Sequence, residues 1–180
     1  MIGLHENEQF MTTWTYTSSS ERDTDRLGER LARALPARAV VGLVGTLGAG
    51  KTHLVRAIAA AAGVDPRDVV SPTFVLLQQY AGRAPDDQAD RPIAHFDAYR
   101  LRDDDEFLQL GPEEYFERPG WSFVEWADRV ADCLPEDVLH IEIELGAAKG
   151  RVFTLSSESP RFAECFELLQ GQSERDGATR

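Results

Sequence analysis

The stretch AVVGLVGTLGAGKTHLVRAIAAAA, residues 39–62, contains a strand pattern, a glycine-rich loop and a helix pattern in immediate succession. Its first part, 39–44, is continuously apolar, which is typical of a strand buried on both faces of a parallel sheet. Its last part, 51–62, is rich in alanine, which favours a helix, and Gly63 follows as the expected end. A strand that leads through a tight loop into a helix is a building unit of α/β folds.

The loop inside this stretch, Gly45 to Thr52, reads GTLGAGKT and fits the phosphate-loop pattern G-x-x-x-x-G-K-[ST]. Glycines allow backbone N–H groups to turn inward around phosphate oxygens, and the helix N-terminus adds a favourable dipole. We therefore predict a nucleotide site in which Lys51 reaches the β- and γ-phosphates and the Thr52 hydroxyl binds Mg²⁺. The other residues predicted to cradle the phosphates are Thr46, Leu47, Gly48, Ala49 and Gly50.

Proteins with a phosphate loop hold Mg²⁺ with help from an acidic residue at the end of a neighbouring strand. Two apolar runs supply one: residues 93–97 end in Asp97, and residues 122–126 contain Glu125. We expect one carboxylate to hold Mg²⁺ and the other to orient the attacking water, and the sequence does not decide which does which. Trp126, next to Glu125, is either a stacking partner for a nucleotide base or a core residue.

Strand-like and helix-like segments alternate along the rest of the chain, which predicts a single-domain α/β fold. The central sheet is predicted to be mostly parallel and flanked by helices, with an antiparallel hairpin near the C-terminus. The other predicted strands and helices are Trp14–Thr17, a helix capped within 18–20 and ending at Leu35, Phe74–Tyr80, Val138–Leu145, Arg151–Ser156, and a helix from Ser159 to about Gln170. The domain is predicted to span residues 12–170, with flexible segments at 1–11, 81–91 and 171–180.

The charge of the chain limits its partners. The sequence has 19 Lys and Arg against 31 Asp and Glu, a formal net charge of −12. Affinity for nucleic acid or an anionic membrane comes mostly from clustered basic residues, so direct binding to either is not expected. Only Lys51 and Lys149 are lysines. The acidic stretch from Asp103 to Glu117 is either a solvated face or a docking surface for a basic partner.

The compartment is predicted from segments that the sequence lacks. Its longest apolar runs fall short of the roughly 18 residues of a membrane helix, and residues 1–10 have neither the basic start nor the apolar stretch of a signal peptide. Cys133 and Cys165 form no metal-binding motif and are expected to be reduced thiols. These features predict a soluble cytoplasmic protein.

Four motifs taken together resemble one family. They are GTLGAGKT at 45–52, VSPTF at 70–74, HFDAYRL at 95–101 and VEW at 124–126, and their order and spacing resemble the bacterial TsaE (YjeE) ATPases from about residue 14 to residue 156. The resemblance implies a small Mg²⁺-dependent ATPase, weak in isolation, that joins the TsaB and TsaD proteins in forming N6-threonylcarbamoyladenosine in tRNA. It also implies that tRNA is contacted only indirectly, through the complex, because the chemistry on adenosine belongs to those partners.

The resemblance also implies roles for individual residues. Thr73 occupies a switch-like position near the γ-phosphate and the metal, Asp97 and Glu125 are the two acidic residues, and Trp126 lies beside the nucleotide. The resemblance further places Ser19, Glu21 and Lys149 near the nucleotide. The family commonly has Asp where this chain has Thr46, which puts a polar contact through that carboxylate in doubt.

Three other functions compete with this interpretation. A small-molecule kinase would need an acceptor pocket and a lid rich in arginine; Arg100 and Arg102 could contribute, but no separate lid segment is evident. A GTP-dependent switch would need an N-K-x-D motif, which the sequence cannot supply because its only asparagine is Asn7. A scaffold with a degenerate loop is disfavoured by the presence of Lys51 and Thr52.

Overall fold

The computed structural model describes residues 11–146 and 150–177, with side chains as far as residue 171. Its centre is one mixed sheet of seven strands in the order β1-β7-β6-β2-β5-β4-β3. The strands are β1 (Thr12–Ser18), β2 (Arg38–Val44), β3 (Leu77–Arg83), β4 (Asp90–Asp97), β5 (Gly120–Glu125), β6 (Val138–Leu145) and β7 (Arg151–Ser157). The four central strands β6, β2, β5 and β4 run parallel, while the outer pairings β1–β7, β6–β7 and β3–β4 are antiparallel. This arrangement confirms the predicted α/β fold and its terminal hairpin.

Helices cover both faces of the sheet. They are α1 (Glu21–Ala34), α2 (Lys51–Ala61), α3 (Asp104–Leu108), α4 (Pro112–Phe116) and α5 (Ala163–Gly177). One core joins α1, α2 and α5 to the sheet through buried residues such as Leu31, Leu54 and Phe166, and a second core joins α3 and α4 through Phe107 and Phe116. Within the described residues, no helix is both long and apolar enough to cross a membrane.

The strand register brings residues from separate parts of the chain together at one end of the sheet. Leu43 of β2 and Asp97 of β4 each pair with Glu125 of β5, so the carboxyl ends of three parallel strands meet. Alternation along a strand sends side chains two residues apart to the same face, so His95 and Asp97 share a face of β4. The loop from β2 to α2 begins at the carboxyl ends of these strands, which is where ligands bind in open α/β sheets.

The segment that carries Phe74 is not the strand that the sequence predicts. Pro72 begins a turn in which its carbonyl accepts hydrogen bonds from the backbone of Val75 and Leu76, and Leu76 has a left-handed φ of 66°. The strand therefore starts only at Leu77 and runs to Arg83. The continuous apolar run at 74–77 gave no sign of this turn, which leaves the Phe74 side chain 82% exposed.

The flexible loop predicted at 81–91 is wrong at both of its ends. Residues 81–83 belong to β3 and 90–91 to β4, and these strands form an antiparallel hairpin in which Ala81 pairs with Pro92. Their connection is closed by a hydrogen bond from the backbone N–H of Ala84 to the carbonyl of Ala89. Backbone pairing thus orders a segment whose small and charged side chains resemble those of a loop.

Two other boundaries differ from the prediction. The last helix is preceded by a 3₁₀ turn, Pro160–Phe162, for which Ser159 is the N-cap, and α5 continues to Gly177, past the predicted end near Gln170.

In the acidic stretch, Phe107 and Phe116 pack edge-on against Phe96 in the core. These aromatic residues therefore hold α3 and α4 on the sheet and do not form an exposed docking surface.

Helices α1 and α2 approach closely because α1 has a glycine at the contact. A Cβ at Gly28 would lie 2.4 Å from Cβ of Ala57 and 2.8 Å from its carbonyl carbon. We expect Gly28→Ala to lower the free energy of unfolding by about 1–3 kcal/mol, because overpacking outweighs the better helix propensity of alanine. Urea unfolding followed by circular dichroism measures this change.

Gly171→Ala is the matched control for Gly28→Ala. Gly171 is also helical, in α5, but a Cβ there meets no described atom within 4 Å. That variant should be unchanged or more stable by up to about 1 kcal/mol, the propensity difference alone. Equal effects of the two substitutions would mean that contact at Gly28 does not limit the packing of α1 on α2.

Candidate nucleotide site

The phosphate loop leads into a helix whose N-terminus is free. Gly50, the N-cap of α2, has a left-handed φ of 114°, no side chain caps the helix, and its first turn contains no acidic residue. By contrast, α1 is capped by the Ser20 side chain and has Glu21 and Asp23 in its first turn. Uncapped N–H groups at a helix N-terminus bind anions, because their unpaired donors and the helix dipole both favour negative charge.

Lys51 is held inside the loop. It is 4% exposed, and its Nζ donates to the carbonyls of Gly45 at 2.6 Å and Thr46 at 3.1 Å. The same Nζ lies 3.6 Å from the centroid of the Trp126 ring, a cation–π contact. Burial lowers the pKa of Lys51 below its ordinary value, while the nearby carboxylates of Glu125, Asp97 and Asp128 oppose this shift. The Lys51 ammonium is therefore close to several negative groups.

Glu125 and Thr52 meet across the loop. The Thr52 Oγ1 donates to Oε1 of Glu125 at 2.6 Å, although the two residues are 73 positions apart in the chain. The same Oε1 lies 2.8 Å from Nε2 of His95. Glu125 and His95 are both buried. One carboxylate oxygen thus joins the phosphate loop, β4 and β5.

Asp97 is anchored to the segment that follows α2. Its Oδ2 accepts hydrogen bonds from Oγ1 of Thr73 at 2.6 Å and Oγ of Ser71 at 3.1 Å. Its Oδ1 accepts one from the backbone N–H of Tyr99 at 2.8 Å. Asp97 is only 2% exposed. The two predicted carboxylates therefore have different neighbours, Thr52 for Glu125 and Thr73 for Asp97.

These groups surround a cavity of about 380 Å³. Its lining residues are Leu47, Gly48, Gly50, Lys51, Thr52, His53, Ser71, Thr73, Asp97, Tyr99, Glu125, Trp126 and Arg151. Carboxylate and hydroxyl oxygens are the ligands that Mg²⁺ prefers, and it is usually held by one or two carboxylates together with substrate phosphates. Among the described residues there is no group of three or more His, Cys, Asp or Glu side chains that could hold a metal ion.

The cavity also contains residues that the sequence did not single out. Arg151, at the start of β7, donates from Nε to the carbonyl of Ala49 at 2.6 Å. Ser71 bonds to Asp97, and the Tyr99 ring packs against that of Trp126, with centroids 4.8 Å apart. Ser71 and Tyr99 lie inside motifs already recognised, whereas Arg151 lies 102 positions from Ala49, with no local pattern to mark it.

Some predicted ligands lie away from the cavity. Ser19 and Glu21 are exposed and follow Ser18, which pairs with Arg151 across β1 and β7, so they flank the site without lining it. Thr46 is exposed, and its carbonyl accepts a hydrogen bond from Lys51. Lys149 lies outside the described residues. Nucleotide contacts by these four residues remain predictions, as do those by the residues that line the cavity.

Comparison with known proteins supports the assignment from the four motifs. The profile of the family described as "Threonylcarbamoyl adenosine biosynthesis protein TsaE" matches residues 18–153. The tRNA threonylcarbamoyladenosine biosynthesis protein TsaE of Treponema pallidum is 36% identical over 139 residues, which cover 77% of this chain and 97% of that protein. The protein of the same name from Aquifex aeolicus is 39% identical over 126 residues, which cover 69% of this chain and 83% of that protein.

A solved structure agrees with the fold. The crystal structure of Bacillus subtilis YdiB is similar with a TM-score of 0.74 and 27% sequence identity, and the similarity covers 91% of this chain and 98% of that one. The sequence and structure matches together confirm the resemblance read from the four motifs.

Proposed function

We propose that this chain, which belongs to the TsaE family of threonylcarbamoyl adenosine biosynthesis proteins, binds ATP with Mg²⁺ at the phosphate loop and hydrolyses it. One observation carries the proposal: an uncapped helix N-terminus and Lys51 face the same cavity as two carboxylates, each hydrogen-bonded to a different hydroxyl. Anion-binding groups and oxygen ligands in one cavity match what a nucleoside triphosphate with its metal requires.

The two carboxylates suggest a division of labour. Glu125 contacts Thr52, the hydroxyl that the phosphate-loop pattern assigns to the metal, so Glu125 and Thr52 would hold Mg²⁺. Asp97 contacts Thr73 and Ser71 and not Thr52, so it would be the carboxylate that orients the attacking water. Mg²⁺, when bound, would neutralise charge on the phosphate oxygens. Lys51 and the N–H groups of α2 would bind the phosphates.

We propose that the base of the bound nucleotide is adenine. A guanine-specific protein would need the N-K-x-D motif, and Asn7 is the only asparagine in the sequence. Trp126 and Tyr99 form an aromatic pair in the cavity wall that offers apolar surface to a base. We propose that Trp126 lies beside the nucleotide.

We further propose that the chain acts with TsaB and TsaD in forming N6-threonylcarbamoyladenosine in tRNA, as its relatives' names indicate for that modification. A net charge of −12 disfavours direct contact with tRNA, so the partners would hold the RNA while this subunit supplies the nucleotide cycle. We propose a cytoplasmic location, since that is where bacterial tRNA is modified.

The test is ATP consumption by the protein alone and with the TsaB–TsaD pair. We expect slow release of ADP and inorganic phosphate in isolation and a clear increase, on the order of tenfold or more, when the pair is added, because partner contacts often complete such sites. Product analysis separates the kinase alternative: ADP formed with a phosphorylated metabolite, and without inorganic phosphate, would refute ATP hydrolysis. No stimulation by the pair would refute the partnership.

A further inference from the structure

His95 is a fully buried polar residue that the proposed division of labour does not use. It lies on β4, where it pairs with Gln78 of β3 and Phe123 of β5, and its exposure is 0%. Its Nε2 is 2.8 Å from Oε1 of Glu125. The register explains this contact, because a side chain on one strand reaches the residue two positions along on the neighbouring strand.

The hydrogen-bond chemistry shows which atom donates. A neutral imidazole has one nitrogen that donates and one that accepts. Oε1 of an ionised Glu125 can only accept, as it does from Thr52, so we assign the hydrogen of this contact to Nε2 of His95. Nδ1 is then left as an acceptor, and it is buried with no hydrogen-bond partner among the described residues.

An unpartnered nitrogen in the core is unfavourable, and an aliphatic side chain at position 95 would avoid it. Buried polar atoms without a partner are rare in native proteins, so this one needs a reason. Apart from a tilted ring contact with Tyr80, with centroids 6.4 Å apart, the bond from Nε2 to Glu125 is the interaction of His95 that an aliphatic residue could not supply. The histidine is therefore better explained by what it does to Glu125 than by core packing.

The two hydrogen bonds to the Glu125 carboxylate end on the same oxygen, Oε1. Thr52 and His95 both donate to Oε1, and among the described residues no hydrogen bond ends on Oε2. Two donors on one oxygen restrict rotation of the carboxylate. Because Glu125 lines the cavity, Oε2 is the oxygen left for a ligand there.

We propose that His95 is a positioning residue, whose Nε2–H holds the Glu125 carboxylate so that Oε2 faces the metal and phosphates. The effect of His95 on the rate of hydrolysis rests on the proposed function. The same role also predicts how Mg²⁺ changes nucleotide affinity, which is measured without hydrolysis. Hydrogen bonds that orient a metal ligand are commonly worth about 10–100-fold in metal affinity or activity.

The experiment compares His95→Gln with His95→Asn. Both replace the imidazole by a polar amide, but only the longer glutamine can place its amide nitrogen near the position of Nε2 and donate to Glu125. The Kd of a fluorescent ADP analogue is measured in EDTA and in Mg²⁺, and single-turnover ATP hydrolysis is measured with the TsaB–TsaD pair present. Melting temperatures report on folding. Should His95→Asn fail to fold, His95→Leu takes its place as the variant without a donor.

We expect both amide variants to bind the analogue in EDTA as the wild type does. In His95→Asn, the tightening of binding by Mg²⁺ and the rate of hydrolysis should each fall about 10–100-fold, while His95→Gln should recover most of both. In a Glu125→Gln background, the difference between the two amide variants should vanish, because the carboxylate that they position is gone.

Two results would overturn this role. One is Mg²⁺-dependent binding in His95→Asn that equals the wild type. The other is an equal loss in both variants accompanied by weaker binding in EDTA, which would assign His95 to packing. If the proposed function is wrong instead, the wild type will release no phosphate. The Kd of the ADP analogue in EDTA and in Mg²⁺ will then still test the role of His95.

Discussion

Lys51→Ala should abolish detectable ATP binding. The Lys51 Nζ lies 2.6 Å from the carbonyl of Gly45, inside the loop that we propose to cradle the phosphates, and Lys51 is the only lysine among the described residues. A charge-assisted contact to phosphate is among the strongest hydrogen bonds in proteins, so we expect the Kd to rise by at least about 100-fold, or about 2.7 kcal/mol. Titration with a fluorescent ADP or ATP analogue measures the change.

The loss of binding should not come from unfolding. Burial lowers the pKa of Lys51, which means that the folded state disfavours its charged form, so removing the ammonium relieves a cost at neutral pH. We therefore expect a melting temperature close to that of the wild type. Arg67→Ala is the control, since it removes one positive charge from a side chain that is 87% exposed and paired with Asp65. Unchanged nucleotide affinity in Lys51→Ala would refute the site.

Glu125→Gln should separate binding from hydrolysis. The amide oxygen can still accept hydrogen bonds from Thr52 and His95, so the local structure should persist, but the negative charge that we assign to Mg²⁺ is lost. Because Lys51 and the N-terminus of α2 are untouched, the Kd for ATP in EDTA should change only a few-fold, while the tightening of binding by Mg²⁺ should fall at least as much as in His95→Asn. The hydrolysis rate should fall on the order of 10²–10⁴-fold. Nucleotide titration and single-turnover hydrolysis measure the two effects separately.

Glu29→Gln controls for the loss of a carboxylate. Glu29 is exposed on α1, away from the cavity lining, and the variant should bind and hydrolyse ATP as the wild type does. If Glu125→Gln kept full turnover, Asp97 would be the only carboxylate needed. The division of labour between the two acids would then be wrong, although nucleotide binding at the loop would stand.

The elements that local sequence predicted well are those with strong short-range signals. The apolar run of β2, the GTLGAGKT loop and the alanine-rich α2 follow one another as expected, because each depends on residues within one turn or one strand. The β3–β4 hairpin was missed because its pairing, not its side chains, orders residues 81–91. The turn at Pro72 was missed because the apolar residues 74–77 follow a pattern that also suits a strand.

The sequence alone located the GTLGAGKT loop, the two candidate carboxylates and the motifs of the family, because each of these is a short stretch of residues adjacent in the chain. Only the tertiary structure paired Glu125 with Thr52 and Asp97 with Thr73, and only it brought Arg151 and His95 to the site. These contacts join residues 24 to 102 positions apart. They depend on the order and register of strands in the sheet, which long-range packing decides and which no local pattern records.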